Sequence, residues 1–189
     1  MQPIRSATVK PHDYRDLIAA YIDVNYGPRG VVVYTEVSLG KTIIGKNRQL
    51  DVFALRKTDQ RALALECKYQ EVQGTTDEKI PYALQDLEAL WIPGCLVYAG
   101  PGWSKGVLHT LEGSRRAVHC LPERPDLVRT PVTRELDHVL AAVFGLWDLV
   151  IPEERLFSTN PQLSLLSRGP KKAQPRATRQ AKKASDGES

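Results

Sequence analysis

Cysteine and histidine are scarce in this sequence, and neither occurs in close pairs. The three cysteines, Cys67, Cys95 and Cys120, are widely separated, and no Cys-x-x-Cys motif occurs. An odd number at wide spacing argues against a disulfide framework and predicts reduced thiols in a protein core. The four histidines also lack the spacing of zinc ligands. A zinc site is therefore not expected.

Long apolar segments are missing as well. No apolar run approaches the roughly 18 to 20 residues that a membrane-spanning helix needs. The first 16 residues contain no apolar core of the kind that signal peptides have. We therefore expect a cytoplasmic protein that has no membrane partner.

The excess of positive charge belongs to the C-terminal end. The net charge is +4, but the residues from Asn160 onward include seven basic and two acidic residues, so the preceding part carries −1. Few large apolar residues occur in this end, which predicts a disordered basic tail over residues 159–189. The tail either tethers the protein to a phosphate backbone or is only solvated. Bulk charge does not identify the remainder as a nucleic-acid binder.

Residue periodicity divides residues 1–158, which we take as one domain, into nine elements. Residues at helical spacing predict helices, and β-branched or alternating stretches predict strands. The predicted elements are a helix over 11–25, strands over 31–39, 50–55 and 62–70, a helix ending near 91, a strand over 94–100, a helix over 104–115, a strand over 117–121 and a final helix over 136–144. A three-strand meander followed by a helix and another strand predicts an α/β fold, with a mixed sheet flanked by helices.

Asp51, Glu66 and Lys68 form the pattern that points to chemistry. Glu66 and Lys68 are two residues apart on one predicted strand, so they project from the same face, whereas the alternate residues are apolar. Asp51 lies on the preceding strand, where a meander can bring its carboxylate beside Glu66. Two adjacent carboxylates repel unless a cation lies between them, and such oxygen ligands suit Mg²⁺. A bound Mg²⁺ can activate water and polarise a phosphate while the lysine stabilises charge, which predicts phosphodiester cleavage.

The segments Arg48-Gln-Leu-Asp51-Val-Phe and Leu65-Glu66-Cys-Lys68 carry a family resemblance. With their flanking elements they resemble the restriction-endonuclease-like PD-(D/E)XK nuclease superfamily over roughly residues 11–121. The resemblance implies an α-β-β-β-α-β core, a metal site of Asp51 and Glu66 that takes Mg²⁺ or Mn²⁺, a lysine that assists the water, and DNA as the substrate. The proline that precedes the aspartate in this family is Leu50 here, at a position that varies within the superfamily.

Four further residues are candidates for support at this site. The family often supplies one more glutamate from its first helix or strand, and because the first helix here contains only aspartates, Glu36 is the candidate third metal ligand. Lys79 lies in a segment that resembles phage and bacterial members, which implies the cytoplasm of a bacterium or a phage-infected cell. Lys79, Gln70 and Arg48 are candidates for support or phosphate contact. The ordinary alternatives are a solvent-facing Gln70 and an Arg48 that pairs with a surface acid.

Several alternatives remain open at this point. An aspartate and a Glu-x-Lys on neighbouring strands can be an ordinary ion pair on a solvated face. The same fold without activity would be a DNA-binding or assembly module, and an active relative could instead cut branched DNA or RNA. Lys41 and Lys46 lie near a predicted hairpin end, where they either enter a groove or are only solvated. Cutting both strands with one site per chain would call for a homodimer.

Overall fold

The computed structural model describes residues 11–74 and 76–151. The predicted tail over residues 159–189 lies outside these ranges, and the domain boundary at residue 158 stays a prediction. Within the described ranges, no helix has the length and apolar character needed to cross a bilayer. Cys67, Cys95 and Cys120 are all buried, which confirms the prediction of core thiols.

The nine predicted elements are present in the predicted order. The helices are α1 (Pro11–Tyr26), α2 (Ile80–Glu88), α3 (Lys105–Glu112) and α4 (Arg134–Phe144), and the strands are β1 (Val31–Lys41), β2 (Asn47–Arg56), β3 (Ala62–Tyr69), β4 (Gly94–Ala99) and β5 (Ala117–His119). Several boundaries differ from the prediction, and α3 and β5 end earlier, at Glu112 and His119. The β1–β2 hairpin is longer, because the strands remain paired as far as Lys41 and Asn47. Helix α2 ends at Glu88 rather than near Trp91, since Pro93 disfavours helical backbone before it.

The five strands form one mixed sheet in the order β1-β2-β3-β4-β5. Strands β1, β2 and β3 form an antiparallel meander, because short turns join them. Strands β4 and β5 are parallel to β3 and to each other, since α2 and α3 cross over the sheet between them. This arrangement confirms the predicted α/β fold with a mixed sheet flanked by helices.

Helices cover the sheet on both faces and create two separate cores. Helices α1 and α4 pack against the face that includes Leu63, Leu65 and Cys67 of β3. Helices α2 and α3 pack against the opposite face, which includes Leu96 and Tyr98 of β4. The predicted alternation along β3 is therefore confirmed, because its apolar residues face α1 and α4. Glu66 and Lys68 occupy the intervening half-buried positions.

A buried polar network joins α1 to α4. Asp137 of α4 accepts hydrogen bonds from the hydroxyls of Tyr21 (2.6 Å), Tyr26 (2.8 Å) and Thr133 (3.0 Å). All four residues are buried. Burial raises the pKa of Tyr21 and of Tyr26, and the Asp137 carboxylate raises both further. The two tyrosines therefore remain neutral donors that satisfy this carboxylate inside the core.

We expect Asp137→Ala to lower the free energy of unfolding by about 2 to 4 kcal/mol, because three buried hydroxyls lose their acceptor. The measurement is the midpoint of urea unfolding. Asp148→Ala is the matched control, since Asp148 pairs with Arg29 on the surface and its side chain is 59% exposed. Equal midpoints for the two variants would show that the network contributes no stability.

Candidate active site

Asp51 lies where β2 separates from β3. The antiparallel pairing of these strands runs from Leu55 and Ala62 to Val52 and Leu65, and stops there. Beyond this point the backbone N–H of Cys67 donates to Oδ2 of Asp51 at 2.8 Å. The Asp51 side chain thus supplies an acceptor to β3 where the neighbouring strand no longer does.

Glu66 and Lys68 lie on the part of β3 next to this bond. Lys68 Nζ lies 2.5 Å from Glu66 Oε1, and both side chains are about one-quarter exposed, at 24% and 25%. The structure thus brings together the predicted pair, and the Asp51 charge acts on both of its members. Asp51 lies on the neighbouring strand, bound to the amide of the residue between this pair, and the roles of the three residues stay predictions.

Burial and neighbouring charges shift the pKa values of Glu66 and Lys68. Burial raises the pKa of Glu66, the Lys68 ammonium opposes this effect, and the Asp51 carboxylate adds to it, so that the net shift is upward. Burial lowers the pKa of Lys68, but Glu66 and Asp51 outweigh burial, so the net shift is again upward. Two carboxylates therefore share one ammonium in a place where water solvates them only partly. The negative charge of these carboxylates therefore exceeds the positive charge beside them.

The donor set fits a hard divalent cation with an incomplete protein shell. Among the described residues, no group of three or more His, Cys, Asp or Glu side chains is arranged to hold a metal. Asp51 and Glu66 would supply two carboxylates, and Mg²⁺ commonly uses one or two carboxylates together with water and phosphate oxygens. A cation at Asp51 and Glu66 would also offset the unfavourable charge on Glu66.

A cavity of about 250 Å³ opens beside Glu66 and Lys68. Its lining also includes Thr42 and Arg48 from the β1–β2 hairpin, and Lys79 and Tyr82 from the start of α2 and the turn before it. Lys79 is exposed and lines this cavity. Whether Lys79 contacts phosphate stays a prediction.

Arg48 is buried and bound to α2. Its Nε and Nη2 donate to the Asp86 carboxylate at 2.8 and 2.9 Å, which is a bidentate pair. Asp86 Oδ1 also accepts from the backbone N–H of Ile43 at 2.8 Å. The contacts of Arg48 are therefore structural, and its predicted phosphate contact stays a prediction. Asp86 was not among the predicted site residues, although its place on the helix face that also bears Ala83 and Leu87 was a usable signal.

Gln70 is also buried, at 4% exposure, so the solvent-facing alternative is wrong. Its Nε2 donates to Asp77 Oδ1 and to the Gly102 carbonyl oxygen, both at 2.8 Å. Gly102 comes so close that a Cβ there would lie 2.6 Å from the Val72 backbone. Gln70 therefore ties the end of β3 to the turn that carries Lys79 and to the loop after β4. Its predicted support of the site or contact with phosphate stays a prediction.

Glu36 lies on β1 opposite Asp51, at a position that the strand ladder skips. Its backbone has a φ of 56°, a left-handed conformation that is uncommon for a residue with a side chain. Its carboxylate lies 2.6 Å from Arg15 of α1 and is 54% exposed. The backbone of Glu36 thus lies across the strand pair from Asp51, but its side chain is paired with Arg15. Its role as a metal ligand stays a prediction.

We expect Asp86→Ala to cost about 2 to 4 kcal/mol, because it leaves the buried Arg48 guanidinium unpaired. The bond to Arg48 lowers the pKa of Asp86 from its ordinary value of 3.8. A carboxyl with a lowered pKa contributes stability above that value and loses it as the pH falls toward the folded-state pKa. The deficit should therefore be largest above about pH 4 and shrink in more acidic solution.

Urea unfolding at several pH values measures this deficit. The matched control is Glu88→Ala on the same helix, where the carboxylate lies 3.7 Å from Arg116 and the side chain is 58% exposed. That change should cost less than about 1 kcal/mol. A pH-independent deficit for Asp86→Ala would contradict the role given to its ionised carboxylate.

Comparison with known proteins places these observations in a family. Residues 10–147 match the family model described as a PD-(D/E)XK nuclease superfamily domain. Comparison with curated proteins finds no match.

Two solved structures are similar to this chain. A repair endonuclease from Pyrococcus abyssi is 18% identical with a TM-score of 0.36, and the match covers 66% of this chain and 50% of that protein. A protein of unknown function, AF1548, is 16% identical with a TM-score of 0.38, and the match covers 74% of this chain and 73% of that protein. The chain thus spans half the length of the repair endonuclease.

The family match includes β2 and β3, with Asp51, Glu66 and Lys68, and it extends through α4. It covers well over half of the sequence and contains every helix and strand of the sheet layers described above. On this basis the chain belongs to the PD-(D/E)XK nuclease superfamily.

Proposed function

We propose that this chain is a metal-dependent DNA endonuclease, with Asp51 and Glu66 as metal ligands and Lys68 as the residue that assists the attacking water. The observation that carries the proposal is the meeting of two carboxylates and one ammonium where β2 separates from β3. An ordinary surface ion pair would account for Glu66 and Lys68, but not for the second carboxylate beside them.

Each residue has a separate task in this proposal. Mg²⁺, or Mn²⁺ in its place, would polarise the scissile phosphate and acidify water. Lys68 remains protonated because Glu66 and Asp51 raise its pKa, so its ammonium can orient that water and stabilise the charge that develops on the phosphoryl oxygens. Asp51 is held in orientation by the Cys67 amide.

The exposed Lys79 at the cavity supports the assignment of a phosphate substrate. It lines the same cavity as Glu66 and Lys68 but lies outside their ion pair. A cation there can hold a phosphate next to the scissile one without taking part in the bond cleavage. The choice of DNA over RNA is the part of the proposal that the family resemblance suggests, and a homodimer follows from cutting both strands with one site per chain.

We expect Lys68→Ala and Asp51→Asn each to reduce plasmid cleavage in Mg²⁺ by about 100-fold or more, because each removes transition-state stabilisation. Asp51→Asn keeps an oxygen acceptor for the Cys67 amide, so the strands should remain in place. Lys57→Ala is the matched control, since Lys57 is exposed in the β2–β3 turn. EDTA should abolish cleavage by the wild-type chain.

Cleavage by Asp51→Asn and Lys68→Ala at the wild-type rate would contradict the proposal. Binding of plasmid without any cleavage in Mg²⁺ or Mn²⁺ would instead favour an inactive DNA-binding module. Parallel rates on duplex, single-stranded, branched and RNA substrates would decide the substrate class, and sedimentation would decide whether a dimer forms.

A third metal ligand at Glu36 makes a separate prediction. If Glu36 exchanges Arg15 for the metal, Glu36→Gln should raise the Mg²⁺ concentration for half-maximal cleavage by about tenfold or more, an effect typical of lost metal-site partners. The matched control is Glu78→Gln, at an exposed glutamate in the turn before α2. An unchanged Mg²⁺ requirement would restrict the site to Asp51 and Glu66.

A further inference from the structure

The β1–β2 hairpin continues beyond the sheet as an arm. We define this arm as residues 37–50, which pair with each other from Val37 and Leu50 to Lys41 and Asn47. The pairing of β2 with β3 ends at Val52, so no strand among residues 11–74 and 76–151 pairs with the inner side of the arm. Thr42 and Arg48 of the arm line the active-site cavity. The arm therefore borders the place where the phosphodiester would be cut.

The tip of the arm is held in one position. The backbone N–H of Gly45 donates to the Thr42 carbonyl at 2.8 Å, and the N–H of Lys46 donates to Thr42 Oγ1 at 3.1 Å. The N–H of Ile43 donates to Asp86 on α2 at 2.8 Å. The tip is thus tied both to itself and to the helix on the other side of the cavity.

The charge of the arm has one sign. Residues 37–50 contain Lys41, Lys46 and Arg48 and no acidic residue, whereas the chain before Asn160 carries −1 in total. Asp86 neutralises Arg48, but both lysines are exposed. Lys41 Nζ donates to Asn47 Oδ1 at 2.6 Å, which orients the ammonium without neutralising it. The arm is therefore a local cationic surface beside the cavity and suits an anionic backbone.

The turn itself presents two isoleucines to solvent. Ile43 and Ile44 occupy the central positions of the Thr42–Gly45 turn and are 45% and 61% exposed. Turn centres ordinarily favour Pro, Gly, Asn, Asp or Ser, and β-branched side chains are poor choices there. Gly45, with a φ of 79°, supplies the left-handed residue that lets the turn close. A local rule broken at an exposed tip is the kind of departure expected at a functional surface.

We propose that the arm is the duplex-binding element of this nuclease. Lys41 and Lys46 contact phosphates on either side of a base step, and Ile44, with Ile43, enters the minor groove as an apolar wedge against that step. Cations that flank two exposed apolar residues match the order of phosphate, base step and phosphate that a duplex presents. This inference rests on the proposed function for the identity of the substrate.

The test measures DNA binding by the full chain, with EDTA present so that no cleavage occurs. The probe is a short fluorescent duplex that contains 2-aminopurine, and its anisotropy and base fluorescence are followed from about 50 to 200 mM salt. The variants are Lys41→Ala with Lys46→Ala, and Ile43→Ser with Ile44→Ser. The matched controls are Lys57→Ala and Val24→Ser, since both residues are exposed and lie outside the arm.

The lysine double variant should bind about tenfold or more weakly at low salt, and its salt slope should fall by about two, one for each lost phosphate contact. The isoleucine double variant should bind about five- to tenfold more weakly with an unchanged salt slope, because it loses apolar burial. It should also lose the rise in 2-aminopurine fluorescence that the wild-type chain produces on binding.

Wild-type affinity and salt slope in both double variants would overturn the inference. So would an isoleucine double variant that loses self-association in sedimentation but binds DNA normally, since the tip would then contact a second copy. Binding that depends on the arm in a chain that never cleaves would uphold the arm and refute the proposed function. Cleavage that requires Lys68 with no effect of the arm variants would do the reverse.

Discussion

The separation of β2 from β3 at Val52 and Leu65 is the constraint on which the site depends. A backbone N–H in a half-buried strand must find an acceptor, and the Cys67 N–H finds the Asp51 carboxylate instead of a neighbouring strand. That single bond orients a carboxylate next to Glu66. Because of the same separation, the first half of β2 pairs with β1 alone, and these two segments extend from the sheet as the arm. The acidic site and the cavity beside it thus have one structural origin.

The electrostatic balance of this site differs from that of an ion pair on a solvated strand. Glu66 and Lys68 alone would balance, and a pair of that kind has modest energetic consequences. Burial raises the pKa of Glu66 despite the ammonium, and the second negative charge on Asp51 adds to this rise. A folded protein that retains such an unfavourable arrangement gains from a cation or an anionic substrate with its metal. The surplus carboxylate is therefore the feature that separates the nuclease interpretation from the ordinary one.

The sequence predicted most of what depends on local periodicity. Helical spacing located α1 and α4, and alternation along β3 separated Leu63 and Leu65 from Glu66 and Lys68. Contacts between distant residues could not be read in this way. The bond of Arg48 to Asp86 joins residues 38 positions apart, and Glu36 meets Arg15 across 21 positions. The length of the arm depends on cross-strand pairing, and the burial of Gln70 depends on the close approach of a glycine loop, so neither had a local signal.

Asp86 links the arm to the helix that borders the cavity beside Glu66, and this coupling goes beyond the three-residue motif. Its carboxylate accepts hydrogen bonds from two nitrogens of Arg48 and from the Ile43 amide. One residue of α2 thus binds both a strand and the turn of the arm. Because α2 also lines the cavity through Tyr82 and Ala83, the cleft around Glu66 has its two sides joined. Catalytic groups act well only when their surroundings are held in place. The Arg48–Asp86 pair is therefore part of the frame that sets the position of the arm relative to α2 beside Glu66 and Lys68.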